Sequence, residues 1–144
     1  MKFMINAERC VCEDVFAMRI ELLVFGICLI WLASPGFATL PSDAQIIGLD
    51  ESVMGYAPGA YYKVEITTPA TLQVILEEVP AQMQTRIAII NEEGTWLASE
   101  DTTSPGEKMM VEANADAPGW YYIAILELNG KTLADPYSFR VVTM

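Results

Sequence analysis

Beyond residue 38 the chain repeats one pattern: short runs in which apolar and polar side chains alternate, each stopped by glycine, proline, asparagine or aspartate. Tyr62, Val64 and Ile66 alternate with Lys63 and Glu65, and Leu72, Val74 and Leu76 with Gln73 and Glu77. Tyr137, Phe139 and Val141 alternate in the same way with Ser138 and Arg140. Successive side chains of an extended strand point to opposite faces, so each run is a ribbon with one oily side. Such ribbons bury that side only against a second sheet or by closing into a barrel. The expected class is all-β: a single antiparallel β-sandwich of seven or eight short strands, with helix nearly absent after residue 38.

The turn residues place the strands. The first is expected over 44–48 and the next over 61–66, ended by Thr68-Pro69; a third closes at Val79-Pro80, since proline cannot donate to a ladder. Residues 86–90 and 95–99 read as a hairpin around Asn91-Glu92-Glu93-Gly94, with glycine where a positive φ is wanted. The stretch 100–107 carries Asp101, Thr102, Thr103, Ser104, Pro105 and Gly106 and reads as a surface loop. Strands resume over 109–113, 120–128 and 137–142, joined by Asn114 to Gly119 and by a reversal at Asn129-Gly130.

Residues 1–38 differ in kind. Leu22 to Ala33 is an unbroken apolar run followed by Ser34-Pro35-Gly36-Phe37-Ala38. It falls short of the roughly 20 apolar residues that span a hydrocarbon core, but it fits the h-region of a signal peptide with small residues before a cleavage point. A signal helix and an exported product, periplasmic or secreted, are therefore expected. Glu8, Glu13 and Asp14 make the region upstream poorly basic, which a translation start at Met18, with Arg19 next to it, resolves. The competing reading is an uncleaved membrane anchor, the one route by which this chain would touch a membrane. Cys10, Cys12 and Cys28 all precede Ala38, so residues 39–144 hold no cysteine and fold as one domain without disulfides.

That domain carries five basic residues against fifteen acidic ones, a net charge of −10. Nucleic acid and anionic lipid are repelled by such a surface. It also has no histidine, which removes histidine-assisted nucleophiles and most transition-metal sites. Asp101-Thr102-Thr103 is not an aspartic-protease turn, and Ser104 and Lys108 stand four apart in a loop rather than at helical Ser-x-x-Lys spacing. No enzymatic activity is expected, and no catalytic residue is assigned.

The aromatics offer a different role. Tyr61, Trp96, Trp120 and Tyr122 fall on the faces opposite the inward-pointing sets, where they would form a platform for sugar rings or peptide side chains. The competing reading is cross-strand stacking that stiffens an outer sheet face.

Three segments carry a family likeness. They are Gly59-Ala60-Tyr61-Tyr62-Lys63-Val64-Glu65-Ile66, the hairpin from Arg86 to Ser99, and Ala117-Pro118-Gly119-Trp120-Tyr121-Tyr122-Ile123-Ala124-Ile125 leading to Tyr137-Ser138-Phe139-Arg140-Val141. Together they resemble the bacterial pre-peptidase C-terminal domain, a small jelly-roll-like β-sandwich found beside secreted proteases and other exported proteins. The resemblance covers about residues 45–143. It implies an accessory or binding module for an exported protein, a peptide or a glycan. Alternatives are a purely structural subunit or folding aid, and a calcium-dependent adhesion module, because some members of the family bind calcium through loop carboxylates. Asp43, Asp50, Glu51, Glu100, Asp101 and Asp116 would supply such ligands here. The chain departs from the family at Ala60, where an acidic residue often stands, and at Asn91, where aspartate often opens the turn; none of the acidic spacings is that of a dedicated calcium loop.

Overall fold

The computed structural model describes residues 39–144; the expected signal helix lies outside them. Among the described residues there are nine strands and no helix: β1 (Gln45–Ile46), β2 (Ser52–Gly55), β3 (Gly59–Ile66), β4 (Ala70–Glu78), β5 (Thr85–Asn91), β6 (Trp96–Asp101), β7 (Met110–Ala115), β8 (Gly119–Glu127) and β9 (Tyr137–Thr143). They form two sheets, a five-stranded one in the order β1-β3-β8-β5-β6 and a four-stranded one in the order β2-β9-β4-β7.

The oily sides of the alternating runs meet between the sheets. Tyr62, Val64, Ile66, Ile87, Ile89, Ile123 and Ile125 face Leu72, Leu76, Val111, Tyr137, Phe139 and Val141 in one core cluster. Met83, from the connection between β4 and β5, closes that core and is fully buried. The rings of Tyr62 and Phe139 pack tilted with centroids 4.7 Å apart.

Several boundaries differ from the expectations. Alternation does not predict strand β2: Ser-Val-Met-Gly has no clear period, and its place is set by antiparallel pairing with β9, from Ser52 with Arg140 to Gly55 with Tyr137. Glu100 and Asp101, expected in a loop, complete β6, because Asp101 pairs with Arg86 across the ladder. Asn114 and Ala115, expected in a turn, extend β7 against Thr71 and Ala70. Strand β1 is shorter than expected and runs parallel to β3, so the pairing is not wholly antiparallel. Ser138 stands on the outward side of β9 yet keeps only 7% exposure, because β9 is flanked by β2 and β4.

The β5–β6 turn forms as expected, with Gly94 at φ 83°. Asn91 does the work expected of an aspartate there. Its side-chain oxygen accepts the Thr95 N–H at 2.8 Å, and its carbonyl accepts the Gly94 N–H at 3.0 Å.

Candidate functional site

The four aromatic candidates come to one place, the outward face of the five-stranded sheet. Register explains why. Ile46 stands opposite Lys63, Lys63 opposite Tyr122, Tyr122 opposite Ile90 and Ile90 opposite Trp96, so one transverse row crosses all five strands. The next row runs Tyr61, Ala124, Ala88 and Ser99, and the one beyond it includes Leu126, Arg86 and Asp101. Trp120 lies on the other side of the first row, opposite Glu65.

This face is apolar at its centre. Ala88, Ile90 and Ala124 have 0% exposure, and Leu40, Tyr61, Tyr122 and Leu126 pack against them as a cluster separate from the main core. Its two margins are open, with Ile46 64% and Trp96 42% exposed. The Lys63 ammonium lies 5.4 Å from the centroid of the Trp120 ring, a cation–π distance. At the far end, Arg86 holds Asp101 through two hydrogen bonds, Nε to Oδ1 at 2.6 Å and Nη2 to Oδ2 at 2.7 Å. The bond from Arg86 keeps the Asp101 carboxyl below the usual carboxylate range, and both side chains remain accessible to water.

The two readings of the aromatics therefore describe one surface. Tyr61 and Tyr122 are half-buried in cross-strand packing, which stiffens the sheet, while Trp96 presents its ring to solvent. Sequence reasoning missed Lys63, Ile90, Ala88, Ala124, Ile46 and Leu40 as members. A signal was present in β8, where Tyr122, Ala124 and Leu126 are apolar opposite the equally apolar Ile123 and Ile125. A strand apolar on both sides is one whose outward face is also covered.

The carboxylates proposed for calcium do not gather. Asp50 and Glu51 sit in the β1–β2 connection, where Glu51 accepts the Gly48 N–H at 3.2 Å and the Asp50 N–H reaches the Val141 carbonyl at 2.8 Å. Glu100 and Asp101 lie on β6, the opposite edge strand of the five-stranded sheet from β1, with Asp101 already engaged by Arg86. Asp116 lines a shallow depression of about 160 Å³ with Glu92, Glu93 and Trp120 at the end where β7 passes into β8. Among the described residues no three histidine, cysteine, aspartate or glutamate side chains group so as to hold a metal ion. A hard cation needs six or more converging oxygens, which this arrangement does not offer.

Other buried polar groups serve the frame around the site. Burial of Glu127 acts to raise its carboxyl, but hydrogen bonds from the Lys131 N–H at 2.7 Å and the Asn129 N–H at 2.9 Å outweigh it and hold the group below the usual glutamate range. Glu127 thereby fixes the turn that leaves β8. Thr102 receives the Thr85 N–H on its hydroxyl at 2.8 Å and returns its own N–H to the Thr85 carbonyl at 2.8 Å, tying the end of β6 to β5.

No family model matches the chain, and no curated protein matches it. Among solved structures, a β-glucosidase from Paenibacillus barengoltzii is 14% identical over 74% of this chain and 12% of its own, with a TM-score of 0.38, too low to carry an argument. The chain is also similar to the pre-peptidase C-terminal domain of a collagenase from Bacillus anthracis, at 17% identity and a TM-score of 0.53, covering 72% of this chain and 99% of that domain. Identity at that level speaks to the fold alone, and in fold the described residues are like a pre-peptidase C-terminal domain.

Proposed function

We propose that the chain is an exported, non-catalytic β-sandwich that binds a protein, peptide or glycan outside the cytoplasm through the outward face of its five-stranded sheet. The observation that carries this reading is the register row from Ile46 to Trp96, flanked by Tyr61 and Trp120, which gathers aromatic and aliphatic groups on one stiff surface. Aromatic side chains offer broad apolar area at little loss of conformational freedom, and their rings take sugar faces and peptide side chains alike. The fold likeness to a collagenase's pre-peptidase C-terminal domain supports the assignment as a module rather than an enzyme. So does the absence of histidine and cysteine from residues 39–144. Export rests on the apolar run at 22–33 and the small residues after it.

The test is capture of a partner from envelope or culture fractions by the unsubstituted chain and by Trp120→Ala and Tyr122→Ala, with folding checked by circular dichroism. Capture that disappears in the folded variants supports the aromatic face. Undiminished capture by both variants ends that reading, and capture abolished by a chelator moves the function to calcium-dependent adhesion. Sequencing the N-terminus of the mature product checks removal of residues 1–38.

A further inference from the structure

The outward face is uneven, and its low ground is already filled. Ala124 and Ala88 stand side by side in register, with Tyr61 closing one end of their row. Tyr122 and Ile90 rise on one side of those methyl groups and Leu126 and Arg86 on the other, so a trough crosses the strands. Of the side chains packed over it, Tyr61, Tyr122 and Leu126 belong to the sheet, but Leu40 does not. Leu40 comes from residues 39–44, which form no strand and whose one backbone hydrogen bond among the described residues is Ala44 N–H to Pro41 carbonyl at 3.4 Å.

The two residues of β1 that follow are also lightly held, whereas Ile47 beyond them is anchored in the main core. Strand β1 has two residues, both exposed, and beyond it the Ile47 N–H reaches the Lys63 carbonyl at 3.0 Å. An open hollow of about 310 Å³ remains between residues 41–45 and β3, bounded by Pro41, Asp43, Ala44 and Tyr61 among others. Residues 39–46 are thus a strap held by three attachments: Leu40 in an apolar trough, Ala44 buried at 8% exposure, and two residues paired to a strand edge.

We infer that the trough is an acceptor site for an aliphatic side chain, filled from within the chain by Leu40. An extended peptide bearing a leucine-sized residue displaces residues 39–46, seats that residue on Ala88 and Ala124, and adds to the edge of β3 in place of β1. This rests on the proposed role of the same face and narrows its partner to a peptide. Chemistry favours a peptide over a glycan because the edge of β3 offers backbone donors and acceptors at strand spacing, which an extended backbone meets and a sugar does not. The incoming side chain and Leu40 compete for the same apolar surface, so the strap lowers the apparent affinity of the site by the fraction of time it is seated.

The full chain and its Leu40→Ala variant are titrated with a synthetic peptide of residues 39–46, Thr-Leu-Pro-Ser-Asp-Ala-Gln-Ile, and with the same peptide carrying aspartate for leucine. Alanine-methyl NMR and tryptophan fluorescence are the readouts. Leu40→Ala alone shifts the Ala88 and Ala124 methyl signals and binds the leucine peptide about tenfold more tightly than the unsubstituted chain. The aspartate peptide binds neither protein. Leu40→Val, a smaller change that keeps an aliphatic group, gives an intermediate gain and serves if Leu40→Ala loses its fold. Equal affinity for both proteins, or Ala88 and Ala124 signals that do not move, overturns the inference. If it fails while Trp120→Ala still abolishes partner capture, the strap is wrong and the aromatic face stands.

Discussion

The hydroxyls of Tyr62 and Tyr137 lie 2.8 Å apart in the interior between the two sheets, hydrogen-bonded to each other across 75 residues of sequence. Each is the polar partner of the other within the main apolar core. Removing one hydroxyl leaves the other buried without that partner. Tyr62→Phe and Tyr137→Phe are each expected to destabilise the fold by about 1 to 2 kcal/mol. The double variant should lose less than the sum, by roughly 1 kcal/mol, since the surviving mismatch is gone. Urea unfolding of the four proteins at neutral pH measures the coupling, and strict additivity would contradict it.

Gly55 belongs to the same arrangement. A Cβ at this position would overlap both tyrosine hydroxyls and the ring of Tyr137, all held in place by surrounding core. Gly55→Ala should cost about 2 to 3 kcal/mol, the range for forcing an extra carbon into a packed interior. The comparison is Gly130→Ala, where no atom lies within 4 Å of the added carbon and only the positive φ of 69° opposes it. That change should cost about 1 kcal/mol. Thermal denaturation ranks the two.

The tyrosine pair also sets a limit at high pH. Burial raises the pKa of Tyr62, though its bond to Tyr137 partly offsets this; burial first, and then Tyr62, raise that of Tyr137. A tyrosine whose folded value is raised keeps its proton while the unfolded chain releases it. Its contribution is whole below the ordinary value of 10.0 and is lost as pH climbs above it. Unfolding free energy should therefore fall steadily above pH 10, and Tyr137→Phe should flatten that decline. A wild-type slope unchanged in this variant would refute the assignment.

Glu127 acts at the other end of the pH scale. Its carboxyl titrates below the usual glutamate range, so its contribution is present above the ordinary value of 4.5 and is lost as pH falls through the folded value. Glu127→Gln keeps the shape and removes the charge. It should cost roughly 1 kcal/mol at neutral pH and speed hydrogen exchange at the Asn129 and Lys131 amides that the carboxylate holds. Exchange at those amides is the direct check.

Arg86 and Asp101 are tightly paired, but both are about 40% exposed. Water and salt screen such a pair, and Asp101→Asn should change stability by no more than about 0.5 kcal/mol. The effect should shrink further at about 1 M salt. A loss well above that would mean that the bridge holds the β5–β6 edge in a way its exposure does not suggest.

Where a run faced one packed side, its alternation was enough to assign it. Tyr62, Val64 and Ile66 turn inward as read, as do Leu72, Val74 and Leu76, because a slip of one residue would expose every one of them. Strand β2 was invisible because Val53 and Met54 obtain their positions from β9, a partner far away in sequence. Glu100 and Asp101 looked like loop because β6 is an edge strand, where charge on a ladder is tolerated and even protective.

The aromatic face was legible only in part. Local alternation placed Tyr61, Trp120 and Tyr122 outward, but the register that aligns them with Ile90 and Trp96 is set by pairing between strands distant in sequence. Leu40 gave no sign at all. It lies in a segment without periodicity, and its role depends on where the chain runs before β1.

Strand β9, placed between β2 and β4, is made after both of its neighbours. Until residues 137–143 leave the ribosome, β2 has no ladder to join and Tyr62 has no hydroxyl to meet. Pairings this distant close slowly, because the loop entropy is lost before any contact compensates it. The four-stranded sheet consequently cannot close until β9 has been made.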